Sequence, residues 1–280
     1  MPTFYNQATL TYNGNTINSN VTAGELVRAL TVTKTAIIDT YTRDSEVTYA
    51  VTIVNTGEAA MEDLSVTDNL GAYDFNGTEL IPLTYVAGSV TLFINGVLQS
   101  DPAVDAGPPL VISGLTIPAG GIATLIYVVR VNEYAPLEPR STIVNCVEVM
   151  GNCAEEACAT ITLRCEADLT ITKSLCPGTV TCGGTLTYTF LIQNTGCACV
   201  VATDDAIITD TFDPTLSDLA VTFNGAAWTR NTQYTYNETT GEFATLPGRI
   251  TVPAATFTQN PDGTWTVQPG ISTLIVTGTV

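Results

Sequence analysis

The sequence has no histidine. That excludes Ser-His-Asp and Cys-His nucleophilic sites, imidazole metal ligation and imidazole acid–base chemistry. Lysine occurs only at Lys34 and Lys173 in 280 residues. Charged residues are 13% of the chain, about half the share usual in soluble domains. The basic ones are the scarcer: 9 Lys and Arg stand against 27 Asp and Glu, a net charge of −18. Nucleic acid is therefore excluded as a partner, since Lys and Arg supply most of that affinity. An anionic membrane surface is excluded for the same reason. No apolar run approaches the roughly 18 residues of a membrane span. The opening stretch, MPTFYNQATLTYNG, shows neither the basic start nor the apolar core of a Sec-type signal.

What is present is apolar and repetitive. Hydrophobic residues are 45% of the chain, so it is no disordered polymer. The length suits two domains. Residues 30–57 match residues 169–196 at a constant offset of 139, with 12 of 28 positions identical. The identities include Lys34/Lys173, Tyr49/Tyr188 and Asn-Thr-Gly at 55–57 and 194–196. After a three-residue insertion, VTDNL at 66–70 matches ITDTF at 208–212, and IATLIYVVRV at 122–131 matches ISTLIVTGTV at 271–280. Two copies of one domain type follow. Alternation through Val47–Ile53 and Leu186–Ile192 is the pattern of half-buried strands. Turns are marked by NTG, NG, PAGG, PDG and QPG. Short strands with no helical interruption predict an all-β chain of two tandem Ig-like antiparallel β-sandwich domains.

The repeat frame breaks at its ends. In the first copy the strand near Val131 is followed by TIVNCVEVM and EACATITL, a closing hairpin around Gly151-Asn152. The second copy reaches the equivalent of Val131 at Val280 with no such hairpin. The chain opens, however, on two alternating runs around Asn13-Gly14, a strong hairpin signal. Carrying the offset back places Asn6 on Asn145, so this first hairpin occupies the frame of residues 142–162. About seven residues join it to Leu30, a reach of roughly 25 Å. A domain of this size is about 35 Å across. The expectation is that hairpin 4–22 completes the second domain of a neighbouring copy, a heterologous contact that builds a filament or a ring. The alternative is that the chain is a stretch of a longer repeat array. The expected division is 1–29 donor hairpin and linker, 30–165 first sandwich, and 166–280 second sandwich lacking its closing hairpin.

The motifs LTVTK, VTYAVTIVNTG, VTDNL and NQATL resemble the repeat domains of bacterial surface proteins. They are similar in particular to the isopeptide-forming domains of Gram-positive fimbrial subunits and collagen-adhesin-type proteins. In that family a Lys on the first strand condenses with an Asn on a late strand, assisted by a buried Asp or Glu. The resemblance implies the set Lys34, Asp68 and Asn145 in the first copy. In the second it implies Lys173 and Asp210, with Asn6 supplied by the neighbour. The chemistry is sound in outline. Burial favours the neutral, nucleophilic amine, a protonated Asp polarises the amide carbonyl, and contact supplies effective molarity. The opposing reading is that both lysines are ordinary strand residues and the asparagines turn or edge groups.

All eight cysteines lie within residues 146–199: Cys146, Cys153, Cys158, Cys165, Cys176, Cys182, Cys197 and Cys199. An even count clustered at a domain junction suggests disulfides and an oxidising location. Cys146 and Cys158 fall on facing hairpin strands, and Cys176 and Cys182 flank one turn. With no His and no C-x-x-C, a metal site is disfavoured. Asp204-Asp205 and Asp68-Asn69 near Asp74 are loop acids without EF-hand spacing. Trp228 and Trp265 belong to the second core. No metal or cofactor is expected, and a hydrolytic enzyme is the poorest fit. The reading is a structural, self-polymerising subunit of an extracellular filament on a bacterial cell or spore surface. The alternative is an adhesin or ligand-binding repeat module.

Overall fold

The structure, a computed structural model, describes residues 3–25, 29–150 and 154–280. Apart from one 3-10 turn at Ala202–Asp204, its regular elements are strands, paired antiparallel into sheets. The chain divides into two compact units, Met1–Ala135 with Thr142–Thr162, and Pro136–Ser141 with Leu163–Val280.

Unit 1 is a sandwich of two six-stranded sheets. Its main strands are β1 (Leu30–Ala36), β2 (Glu46–Asn55), β3 (Met61–Asp68), β4 (Leu110–Ile117), β5 (Ile122–Val131), β6 (Thr142–Met150) and β7 (Glu155–Leu163). One sheet runs β1-β2-β5 and continues into Thr91–Ile94 and Val97–Leu98. The other runs from Ala103–Asp105 through β4-β3-β6-β7 to Thr40–Tyr41. In β2, Val47, Tyr49, Val51 and Ile53 alternate inward and all are buried. That period of two, carried by β-branched and aromatic residues, makes a strand with one face on the core.

Unit 2 repeats the first sheet. Its strands are β8 (Leu169–Cys176), β9 (Thr185–Asn194), β10 (Thr209–Thr211), β11 (Ser217–Phe223), β12 (Glu242–Thr245) and β13 (Gly270–Thr279). The larger sheet runs β8-β9-β13-β11 to Ala226–Trp228. The registers agree with the repeat. Lys34 lies opposite Val51 and Lys173 opposite Phe190; Ile122 lies opposite Val54 and Ile271 opposite Gln193. The second sheet is reduced to β10, β12 and Tyr234–Tyr236. In unit 1, β3 pairs with β4 on one side and β6 on the other. In unit 2, β10 pairs with β12 alone, and no strand of the described chain covers its other edge. Trp228 packs on Phe223 at 5.0 Å between ring centres, and Trp265 is half-buried on the hairpin of Thr256–Gln259 with Trp265–Gln268.

The N-terminal segment is a hairpin whose strands pair only with one another. Thr3–Asn6 pairs with Thr22–Glu25, and Thr9–Tyr12 with Asn15–Asn18 around Asn13-Gly14. Both turn residues have positive φ, which Asn and Gly tolerate and a tight hairpin requires. Phe4, Leu10, Tyr12 and Ile17 are all exposed.

Two disulfides form among the described residues. Cys146 and Cys158 are direct cross-strand partners on β6 and β7, and Cys165 joins Cys197. Cys176, Cys182 and Cys199 are free and exposed, which corrects the expected Cys176–Cys182 pair. Register explains the difference: Cys176 ends β8 opposite Thr187 on β9, and flanking a turn does not place two Cβ atoms face to face. Cys153 and the Gly151-Asn152 turn lie outside the described residues.

Candidate functional site

The three residues implied in unit 1 meet in its core. Lys34 is on β1, Asp68 ends β3, and Asn145 is on β6; all three are buried. Their placement follows from strand alternation. Leu30 and Lys34 share the inward side of β1, and Ile143, Asn145, Val147 and Val149 share that of β6. Val147 lies opposite Asp68 across the β6–β3 ladder.

Asp68 Oδ2 is the hub. It accepts from Lys34 Nζ at 2.8 Å, from the Tyr127 hydroxyl, and from Asn145 Nδ2 at 3.4 Å. Oδ1 accepts from the Leu70 N–H at 2.7 Å. Lys34 Nζ sits 4.5 Å from the centre of the Tyr49 ring and 5.9 Å from that of Tyr127. Burial pulls the Lys34 ammonium down to about 8 from 10.5, against the opposing Asp68 charge and hydrogen bond. Burial likewise pushes the Tyr49 and Tyr127 phenols upward. An ion pair this dry is tolerated only because nearly every polar atom finds a partner.

Asn145 is fixed at both ends of its amide. Its Oδ1 accepts from the Gly71 N–H at 3.2 Å, while its amide nitrogen faces Asp68. Gly71 has φ +73, and a Cβ there would lie 2.5 Å from Ile143, so only glycine brings that N–H to the amide. The arrangement can transfer an acyl group. A proton passed from Lys34 to Asp68 would free the amine to attack Asn145 Cγ. The Gly71 N–H would meet the charge developing on Oδ1; Asp68 would give its proton to the departing nitrogen, which leaves as ammonia, and would take the second proton from Nζ, leaving a neutral amide N–H. Tyr127 and Gly71 were missed in the sequence. Tyr127 has Val276 as its repeat equivalent, so the repeat gave it no emphasis.

Unit 2 holds half of this set. Lys173 pairs with Asp210, and Nζ lies 4.6 Å from the Tyr188 ring centre, as Lys34 does over the equivalent Tyr49. The pair is open, however. The Lys173 side chain is 40% exposed, against 0% for Lys34. All of β8 is exposed, including Leu169, Ile171 and Leu175, whereas Leu30 and Lys34 on β1 are buried. In unit 1, β6 packs against β1; among the described residues of unit 2 no strand takes that place on β8. Asn6 stands on the N-terminal hairpin, exposed and opposite Thr22.

The remaining candidates serve turns. The Asn55 and Asn194 amides staple their own loops, each accepting from a Gly N–H two residues on and donating to carbonyls across the unit. Asp204 accepts from the Val201 N–H, and Asp74 from that of Gly77. Among the described residues one group has metal-ligand spacing, Cys146, Glu156 and Cys158, and its two cysteines are joined to each other.

No family model matches the chain, and no curated protein matches it. Among solved structures it is similar to BcpA, the major pilin subunit of Bacillus cereus, at 12% identity and a TM-score of 0.36, over 96% of this chain and 73% of that one. It is similar to the pilus backbone RrgB of Streptococcus pneumoniae at 11% identity and a TM-score of 0.35, over 86% of this chain and 55% of that one. It is also similar to the collagen-binding subdomain of the Enterococcus faecalis surface protein ACE, at 12% identity and a TM-score of 0.33, over 50% of this chain and 99% of that one. Pilins and collagen-binding adhesins, the groups the sequence resembles, are thus among the structures this chain is similar to, and the functional reading rests on its own geometry.

Proposed function

We propose that this chain is a structural subunit of an extracellular bacterial filament, and that it polymerises by lending its N-terminal hairpin to unit 2 of another copy. The observation that carries the reading is the contrast between equivalent strands. In unit 1, β1 packs against β6 of the same chain and buries Leu30 and Lys34; in unit 2, β8 and the edge of β10 stand open among the described residues. A hairpin in the matching sequence frame stands with its apolar side chains in solvent. Contact between unlike surfaces of identical chains propagates rather than closing as a pair. Two disulfides fit an oxidising, extracellular setting. In unit 1 the buried Lys34, Asp68 and Asn145 support an internal Lys–Asn bond that fastens β1 to β6.

The test is removal of residues 1–22. Negative-stain microscopy of the intact chain should show fibres, and the truncated chain should show none while unit 1 melts as before. Fibres that persist without the hairpin would end the strand-donation reading.

A further inference from the structure

Lys173 and Asp210 reproduce two members of the unit 1 site and lack the third. We infer that Asn6 of a second copy supplies it, so that an interchain amide between Lys173 and Asn6 forms only after the hairpin has docked. The inference rests on the strand donation proposed above and adds a covalent step with a fixed order.

Register identifies the residue. The inward side of β6 reads Ile143, Asn145, Val147, Val149, all buried. The hairpin positions 139 earlier read Phe4, Asn6, Ala8, Leu10, an apolar side interrupted once by an amide. A slip of one residue would turn Tyr5, Gln7 and Thr9 inward instead, so burial of the apolar side fixes the inward face, and the repeat offset of 139 sets Asn6 at the position of Asn145. Val147 lies opposite Asp68, and Asn145 two residues back reaches Asp68 Oδ2. The same placement sets Ala8 opposite Asp210 on the open edge of β10 and brings Asn6 to the Lys173–Asp210 pair. Residues 3–24 carry no charged side chain, so docking buries no competing acid beside Lys173.

The order follows from exposure. The Lys173 side chain is 40% open to water, which hydrates its amine, whereas that of Lys34 is fully enclosed. Seating the hairpin over β8 removes that water, as β6 removes it from Lys34. Asp210 then takes a proton from Lys173. The neutral Nζ bonds to Asn6 Cγ, the bond from Cγ to the amide nitrogen breaks, and that nitrogen leaves as ammonia with the proton Asp210 first took; Asp210 then takes the second proton from Nζ, which leaves a neutral amide N–H. No oxidant or cofactor enters. Unit 1 differs in that all three residues belong to one chain, so its bond requires no partner.

Two full-length variants separate the halves. Asn6→Ala keeps the acceptor lysine, and Lys173→Met keeps the donor amide; both positions are exposed in the free chain, so neither change opens a core. After boiling in detergent with reductant, wild type should run as a ladder and each variant alone as monomer. The two variants mixed should give a covalent dimer and nothing longer. Mass spectrometry should find one branched peptide joining the segments of Lys173 and Asn6, short of one ammonia. A ladder that survives in Asn6→Ala would overturn the assignment. Native light scattering that shows multimers, with no covalent product in wild type, would overturn the bond and leave strand donation standing. Absence of multimers under native conditions would remove strand donation itself, and the bond with it.

Discussion

A single buried amine dominates behaviour at the residue scale. Lys34 sits near 8 because burial penalises its charged form more than Asp68 supports it. The unfolded chain, with Lys at its ordinary 10.5, therefore binds more protons than the folded one between about 8 and 10.5. While the amine is free, stability should rise with pH from about 8. Burial raises the Tyr49 and Tyr127 phenols, so they stay protonated in the folded chain, and ionisation of the unfolded phenols opposes the rise as pH approaches 10. Asn145→Ala, which has no amide to cross-link, should become more stable to urea between pH 8 and 9, by on the order of 1 kcal/mol. The double variant Lys34→Met/Asn145→Ala should lose that slope, and a flat profile in the single variant would contradict the burial argument. Asp68→Ala removes both the proton acceptor and the hub of the site. Intact-mass measurement should then show the full chain mass, one ammonia heavier at unit 1 than the parent.

The informative element is the β6–β7 hairpin, which covers the lysine site in unit 1 and is stapled by Cys146–Cys158. The loop it closes is short, with a sequence separation of 12. Chain entropy for such a loop gives about 3 kcal/mol. Replacing both cysteines by serine should lower the unit 1 stability by about 2–3 kcal/mol in denaturant titration and leave unit 2 unchanged. Alkylation of the native protein should label Cys176, Cys182 and Cys199 and spare the four bonded sulfurs. Much at this scale was legible beforehand. Alternation in β2 and β9, the repeat offset, and the facing Cys146 and Cys158 are all local or periodic signals, and strands obey them. The Cys165–Cys197 bond was not legible, because it joins a segment before β8 to the loop after β9, and sequence spacing does not measure that distance. Tyr127 was hidden for a related reason: it belongs to the opposite sheet and reaches Asp68 through the core. The lysines stood out because nothing else in the chain resembled them.

For the whole molecule, the assembly proposed above would set apolar burial against charge. The hairpin exposes Phe4, Leu10, Tyr12 and Ile17, and the open strand of unit 2 exposes Leu169, Ile171 and Leu175. Burying seven such side chains at roughly 1.5 kcal/mol each gives on the order of 10 kcal/mol. The costs of association then subtract from that. Pairing along β10 also covers an edge that would otherwise pair with other chains. Opposing this, each copy carries a net charge of −18, and like-charged subunits repel as they approach. The donor strand segments between residues 3 and 24 contribute no charge, so the interface contains no ion pair on the donor side for salt to weaken. Salt then acts on the repulsion alone, shortening its range from about 30 Å at 0.01 M to about 10 Å at 0.1 M. Assembly followed by light scattering should therefore be faster, and its critical concentration lower, as sodium chloride rises across that range. An interface held by ion pairs would respond in the opposite sense, so a fall in assembly with added salt would refute the apolar hairpin as its driving element. Leu10→Asp on the donor and Ile171→Asp on the acceptor should each raise the critical concentration at every salt level. Both should leave the loss of one ammonia proposed for Lys34 and Asn145 in unit 1 unchanged by mass.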